Sequence, residues 1–271
     1  MSVTSVTTTR HLEQKLPPGA TLSPDGSANN VLVWLSAALG VELDRANRVS
    51  SWHDASESIP GRTDSRAGRH ATQVRSTLRP FYTRSLLLRR IPVIAFENAV
   101  PHSSSSAPVA GPDQHLVAPV TGSYRSFTIA LLFKVSTLTD VHSLLTVDPS
   151  HEMNGLDVRI DRVGNLGVFA GNIAAVVARN SITPDRWTLL VLRIRNGKEV
   201  RLWIDFSRSV VGGSLRGLCP AFGPWEGLYI GKSTVNSRAF HGEVAELVAF
   251  ASALEDPLIH DLHTYFIRKF V

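Results

Sequence analysis

The sequence predicts an all-β fold, a sandwich or a barrel, closed by one short C-terminal helix. Two observations carry that reading. Strand-like alternation runs almost unbroken from Phe127 to Ala253, and short polar turns separate the alternating segments. Many antiparallel strands, each with one apolar face, must pack into two layers or close on themselves.

Residues 1–30 are rich in Thr, Ser, Pro and Gly and are expected to form an extended arm, with the core starting near Val31. An arm so poor in apolar residues cannot offset the entropy of ordering alone, so the expectation is an assembly contact with a neighbouring subunit. The stretch 57–90 is expected to be an Arg-rich insertion, and 101–119, with its serine run Ser103 to Ser106, a Ser/Pro-rich loop or hinge. Phe127, Ile129, Leu131, Phe133 and Val135 then share one face of a strand, and Leu156, Val158 and Ile160 alternate with Asp157, Arg159 and Asp161. Trp187 to Arg195 is apolar on both faces and is expected mid-sheet. Asn196-Gly197 suits a tight hairpin into Val200–Asp205, because both residues tolerate positive φ. Leu228–Gly231 and Gly242–Phe250 are the last strand candidates. Asp256 and Pro257 open a helix whose Ile259, Leu262 and Phe266 share a face, and Arg268 and Lys269 at its end favour its dipole. That helix is expected on the sandwich edge.

Composition narrows the class. A chain of 271 residues with 43% apolar content can bury a full core. No apolar run reaches the ~18 residues of a membrane span, since Ser36, Gly40 and Glu42 interrupt the longest candidate. The opening residues lack an apolar signal-peptide core, so export through a leader is not expected. Cys219 is the single cysteine, which excludes a disulfide within the chain. Between Glu57 and Val100 the residues Arg62, Arg66, Arg69, Arg75, Arg79, Arg84, Arg89 and Arg90 outnumber Glu57, Asp64 and Glu97. Arginine suits carboxylate or phosphate partners, so either a solvated insertion or contact with an acidic surface follows. Few aromatics interleave with these arginines and no nucleic-acid motif is present, which argues against nucleic acid.

The run "SFTIALLFKV", "GLDVRI", "GNLGVF", "DRWTLLVLRIRNGKEVRLWIDF", "GLYIGKS" and "FHGEVAELVAFASALED" resembles a laminin-G-like jelly roll of the concanavalin A-like lectin and glucanase superfamily. Phe240, Gly242, Val244, Glu246 and Ala253-Leu254 match that family's closing strand and turn. "VLVWLSAALGVELDRANRVSSWHDAS" and "IPVIAF" resemble its first strands, so the likeness covers residues 31–271, and Trp52 and Asp54 fall on a structural turn. The resemblance implies a jelly-roll β-sandwich and leaves the ligand open, because one fold hosts many functions. Glucanases of the superfamily use Glu-x-Asp-x-x-Glu. Here Glu42-Leu43-Asp44-Arg45-Ala46-Asn47 lacks the second Glu, so a catalytic acid pair is not expected. Glu243 and Glu246, three apart in a strand, are expected on opposite faces.

Sugar sites combine a stacking aromatic with planar polar groups. Trp225 on a loop is the leading stacking candidate, Trp203 between Leu202 and Ile204 the second, and Asn154, Asn236 and Arg238 offer hydrogen bonds from turns. The loop holding Asp148, His151, Glu152 and Asn154 offers oxygens, and laminin-G-like domains often bind Ca²⁺ with such loops, so Asp148 and Glu152 are candidate ligands. Otherwise no cofactor is expected. The expected function is a non-enzymatic carbohydrate-binding adhesion module at the surface of a phage or phage-like particle. There it would recognise cell-surface or capsular polysaccharide and contact neighbouring virion proteins through its arm. A purely structural virion protein and a divergent polysaccharide-degrading enzyme are the alternatives.

Overall fold

Alternation sends neighbouring side chains to opposite faces of a strand, and it sorts this chain into two antiparallel sheets. The computed structural model describes residues 17–20, 30–58, 69–86, 88, 90–98, 113–147, 155–170, 173–205, 210–214, 225–233 and 238–270. The strands are β1 (Val31–Ser36), β2 (Val41–Leu43), β3 (Val49–Trp52), β4 (Ala71–Thr72), β5 (Phe81–Ser85), β6 (Ile91–Glu97), β7 (Leu116–Ala118), β8 (Phe127–Val135) and β9 (His142–Val147). They continue with β10 (Leu156–Ile160), β11 (Leu166–Ala170), β12 (Ile173–Ala178), β13 (Trp187–Arg195), β14 (Glu199–Ile204), β15 (Val210–Ser214), β16 (Leu228–Ile230) and β17 (His241–Phe250). Helix α1 (Asp256–Phe270) follows. An eight-stranded sheet runs β15-β14-β13-β8-β17-β6-β5, with β1 also paired to β17. A nine-stranded sheet runs β12-β11-β10-β9-β16-β7-β4-β3-β2. The fold is a two-layer β-sandwich.

Between the sheets lie Phe127, Ile129, Leu131, Phe133 and Val135 from one side and Leu156, Val158, Ile160 and Val168 from the other. The Asn196-Gly197 turn forms as expected. Both residues have positive φ, 55° and 62°, and the Lys198 N–H donates to the Arg195 carbonyl at 3.1 Å. The sandwich is tied at both margins. At one, Arg48 bridges Phe81 and the Val49 N–H donates to the Pro80 carbonyl at 2.8 Å. At the other, Gly213 of β15 lies so close to β12 that a Cβ would come within 2.2 Å of the Ala175 carbonyl oxygen.

Several expectations change. The stretch 57–90 is not structureless along its length, because β4 and β5 lie in it and join opposite sheets. Its arginines divide accordingly. Arg69 is buried and donates to the Leu32 carbonyl, Arg79 pairs with Asp44 at 3.1 Å, and Arg75, Arg84 and Arg90 are exposed; Arg62, Arg66 and Arg89 lie outside the described residues. The 101–119 stretch likewise supplies β7, paired with both β16 and β4. Of the 1–30 arm, residues 17–20 and Asn30 are described. Asn30 Nδ2 donates to the Gly19 carbonyl at 2.6 Å, and Gly19 sits against Leu254, so this portion rests on its own domain.

Helix α1 does not sit on an edge. It lies across the outer face of the eight-stranded sheet, where Ile259, Leu262, Phe266 and Phe270 bury Val93, Ala130, Leu132, Val191, Trp203 and Val248 in a second apolar layer. Buried charges hold both of its ends. Arg193 on β13, 2% exposed, donates to the Leu254 carbonyl at 2.7 Å and pairs with Asp256 at 2.6 Å. At the far end Glu246, fully buried, accepts hydrogen bonds from Trp34 Nε1 at 2.8 Å, the Tyr265 hydroxyl at 2.6 Å and Lys269 Nζ. Burial and the adjacent Glu246 carboxylate push the Tyr265 hydroxyl pKa far above its ordinary value, so it stays a donor. A bulge in β17 between Val244 and Glu246 explains the geometry. It turns Glu243 and Glu246 to the same face, against expectation, yet Glu243 pairs with Lys134 at 2.9 Å while Glu246 serves the helix. Among the described residues no helix is long and apolar enough to cross a membrane.

Removing one partner of a buried pair strands the other charge. Lys269→Met should therefore lower the unfolding free energy by about 3 kcal/mol in urea melts, and Glu246→Leu added to it should restore much of the loss. Independent, additive losses would contradict the clamp.

Candidate functional site

The two outer faces differ in kind. Helix α1 occupies one, whereas the outer face of the nine-stranded sheet carries mainly polar side chains. Strand register aligns them in rows. Ser143, Arg159, Gly167 and Val177 form one row across β9–β12, and Thr146, Asp157 and Phe169 form the next. Over β10–β12 this face dips into a groove of about 310 Å³ lined by Val141, Arg159, Asp161, Asn165, Gly167, Phe169, Val177 and Arg238. Small-ligand pockets begin near that size, about 300 Å³.

Each wall has a local cause. Gly167 clears the floor, because a Cβ there would come within 2.7 Å of the Phe169 ring. The Arg159 guanidinium lies over that ring, 4.6 Å from its centroid, and its Nε donates to Asp157 at 2.6 Å. Asp157 also accepts from the Ser143 hydroxyl at 2.6 Å, so the pair is buried with its hydrogen bonds met. Asp161 organises the Arg162–Asn165 turn. It accepts from the N–H groups of Val163 and Asn165 and from Asn165 Nδ2, at 3.0, 2.9 and 2.7 Å. Arg238 closes the rim, half-buried. Burial, and then the Arg159 cation beside it, lower its pKa, while Asp157 and Asp140 act in the opposite sense.

Of the expected site residues, Arg238 alone reaches this groove among the described ones. Trp225 is a correction: it is 1% exposed, its ring packed edge-on against Phe127 at 4.8 Å and Tyr124 at 5.1 Å. A backbone bridge to Gly122 draws it inward, so it offers no face to a sugar. Trp203 is likewise buried, under α1, with the Arg193 guanidinium 4.8 Å from its ring centroid. Asn154, Asn236, Asp148 and Glu152 lie outside the described residues. Trp52 and Asp54 are structural as expected; Asp54 accepts from the Trp34 N–H at 2.9 Å and the Ser56 hydroxyl at 2.6 Å. The Glu42–Asn47 segment holds no free acid pair. Glu42 meets His53 at 3.1 Å, and Asp44 accepts from Arg79 and from the Ala46 and Arg48 N–H groups. Burial raises the Asp44 pKa, but those bonds outweigh it and leave it below the ordinary value. Among the described residues no cluster of His, Cys, Asp and Glu could hold a metal ion.

No known family's sequence profile matches the chain, and no curated protein matches it. Solved structures do. Domain 4 of AbnA, a GH43 extracellular arabinanase from Geobacillus stearothermophilus solved with arabinotriose, is 15% identical with a TM-score of 0.53, over 86% of this chain and 98% of that one. The CBM40 of Ruminococcus gnavus IT-sialidase, bound to α2,6-sialyllactose, is 13% identical with a TM-score of 0.45, over 63% and 96%. The NanB sialidase from Streptococcus pneumoniae is 14% identical with a TM-score of 0.43; this chain spans 51% of itself and 24% of that longer protein. At its identity the likeness to the arabinanase domain is one of fold, the two-sheet antiparallel sandwich.

Sequence reasoning passed over Arg159, Gly167 and Phe169. The signal was there: in Leu166-Gly167-Val168-Phe169-Ala170 the glycine and the aromatic fall on the face opposite the core residues. Trp225→Ala should cost about 3–5 kcal/mol in equilibrium unfolding, the usual range for emptying a buried aromatic site. A loss below 1 kcal/mol would return Trp225 to the surface.

Proposed function

We propose that this chain is a non-enzymatic carbohydrate-binding module whose ligand lies in the groove over β10–β12. The observation that carries the reading is the groove itself: a half-buried aromatic, Phe169, with Arg159 over one face of its ring and the Arg238 guanidinium at the rim, on an otherwise polar sheet face. Sugars are held by such pairings of ring stacking with planar hydrogen-bonding groups. The arabinanase domain of like fold, solved with arabinotriose, supports it. The carboxylates at the groove support a binding role over hydrolysis. Asp157 is buried in its pair with Arg159 and Asp161 is spent on its turn, so neither can act as the free acid or nucleophile that glycoside cleavage needs.

The finer reading places the module at the surface of a phage or phage-like particle, as a spike or fibre component that recognises cell-surface or capsular polysaccharide. The family resemblance and the single cysteine support that setting, and a purely structural virion role is the competing one. Affinity electrophoresis through a panel of soluble polysaccharides, arabinan included, tests the binding role. At least one should retard the protein. Phe169→Ala should weaken that interaction about ten-fold, if base stacking at ~1–3 kcal/mol is a fair guide. Phe169→Leu, which keeps bulk and loses the flat ring, should weaken it similarly. Mobility unchanged by every polysaccharide, or retardation indifferent to both substitutions, would remove this reading.

A further inference from the structure

Charge at the groove is unevenly committed. Asp157 accepts from Arg159 and Ser143, and Asp161 accepts from Val163 and Asn165. Asp140 accepts from the Val141 N–H at 2.7 Å and from Arg162 at 3.2 Å. Among the described residues, every carboxylate near the groove thus has its own partners. The Arg238 guanidinium has no direct one: among the described residues it makes neither an ion pair nor a hydrogen bond, although it is half-buried, with the Arg159 cation beside it and Asp157 and Asp140 acting on it only through their charge. A guanidinium held near a like charge and partly out of water is destabilising unless an anion meets it.

The neutral groups point the same way. Among the described residues Asn165 is the one side-chain amide lining the groove, and it is already occupied. Its Nδ2 donates to Asp161, and its Oδ1 accepts from the Asn180 N–H at 2.8 Å. Among the described residues a neutral sugar would therefore find few uncommitted side-chain groups for its hydroxyls. A carboxylate would find a planar fork of donors whose geometry matches it in a two-bond contact.

We propose that the groove selects glycans bearing a carboxylate, of the uronate class, and that Arg238 pairs with that carboxylate. The inference rests on the carbohydrate-binding reading and names its ligand class. The sugar ring lies toward Phe169 and the apolar Val177, and its carboxylate is turned to the Arg238 rim.

Calorimetry with galacturonate, glucuronate and mannuronate oligomers, each as free acid and as methyl ester, tests it. At least one free acid should bind about ten-fold or more tightly than its ester, the size of a charge-assisted hydrogen bond. Arg238→Gln should abolish that preference by lowering free-acid affinity to the level of the ester, and Arg238→Lys should keep part of it. Equal affinity for acid and ester, unaltered in Arg238→Gln, would overturn the inference and leave sugar binding intact. Binding of neutral glycans alone would do the same. Poly-glutamate binding as tightly as the uronates would also overturn it, since charge without the sugar would then suffice. Failure of every glycan, acidic or neutral, would remove the underlying reading as well.

Discussion

The structure depends on how the apolar outer face of the eight-stranded sheet is covered. β8 and β13 are buried along most of their length, so this sheet must be covered twice, by its partner sheet and by something else. Helix α1 is that second cover. Its apolar stripe supplies the burial, and Arg193 and Glu246 fix its direction and place. Each is a buried charge whose partner lies at one end of the helix, so sliding or reversing α1 would strand one of them. The bulge in β17 is part of the same arrangement, because without it Glu246 would face the inner core.

Covering one sheet this way sets the character of the other. The nine-stranded sheet has only one apolar face, and its outer rows can carry Ser, Thr, Asp, Arg and Tyr. Some of these are nonetheless buried: Asp157 and Arg159 are 3% and 6% exposed. Thr146 donates to the Lys232 carbonyl at 3.1 Å, and Lys232 in turn bridges Ala239, next to Arg238 at the groove rim. Gly167 keeps the floor low and Phe169 gives it an aromatic surface. The site is thus a product of register on rigid strands together with Arg238 at its rim.

Period-2 alternation made β8 and β10 legible and an apolar run made β13 so, and the Asn196-Gly197 turn into β14 was readable from the positive φ it demands. Short strands were not. β4 has two residues and β7 three, too few for any period to register, and both sit in stretches whose composition resembles loops. The position of α1 was hidden because β8 reads as alternating when Thr128 and Lys134 are scored as polar, although both are buried. Tryptophans misled for a related reason. Trp225 stands in a glycine- and proline-rich segment typical of exposed loops, yet one backbone bridge is enough to seat it in the core. The arginine at the rim was legible as a type and not as a place, since its meeting with Arg159 joins residues 79 positions apart in the chain.

The central claim is that the covered sheet is structural and the open sheet functional. Amide hydrogen exchange read by mass spectrometry, with and without a bound oligosaccharide, tests it directly. Ligand should slow exchange in β10, β11, β12 and the segment around Arg238, and leave β13, β17 and α1 unchanged. Protection centred on α1 and the sheet beneath it, with β10–β12 indifferent to ligand, would contradict the account.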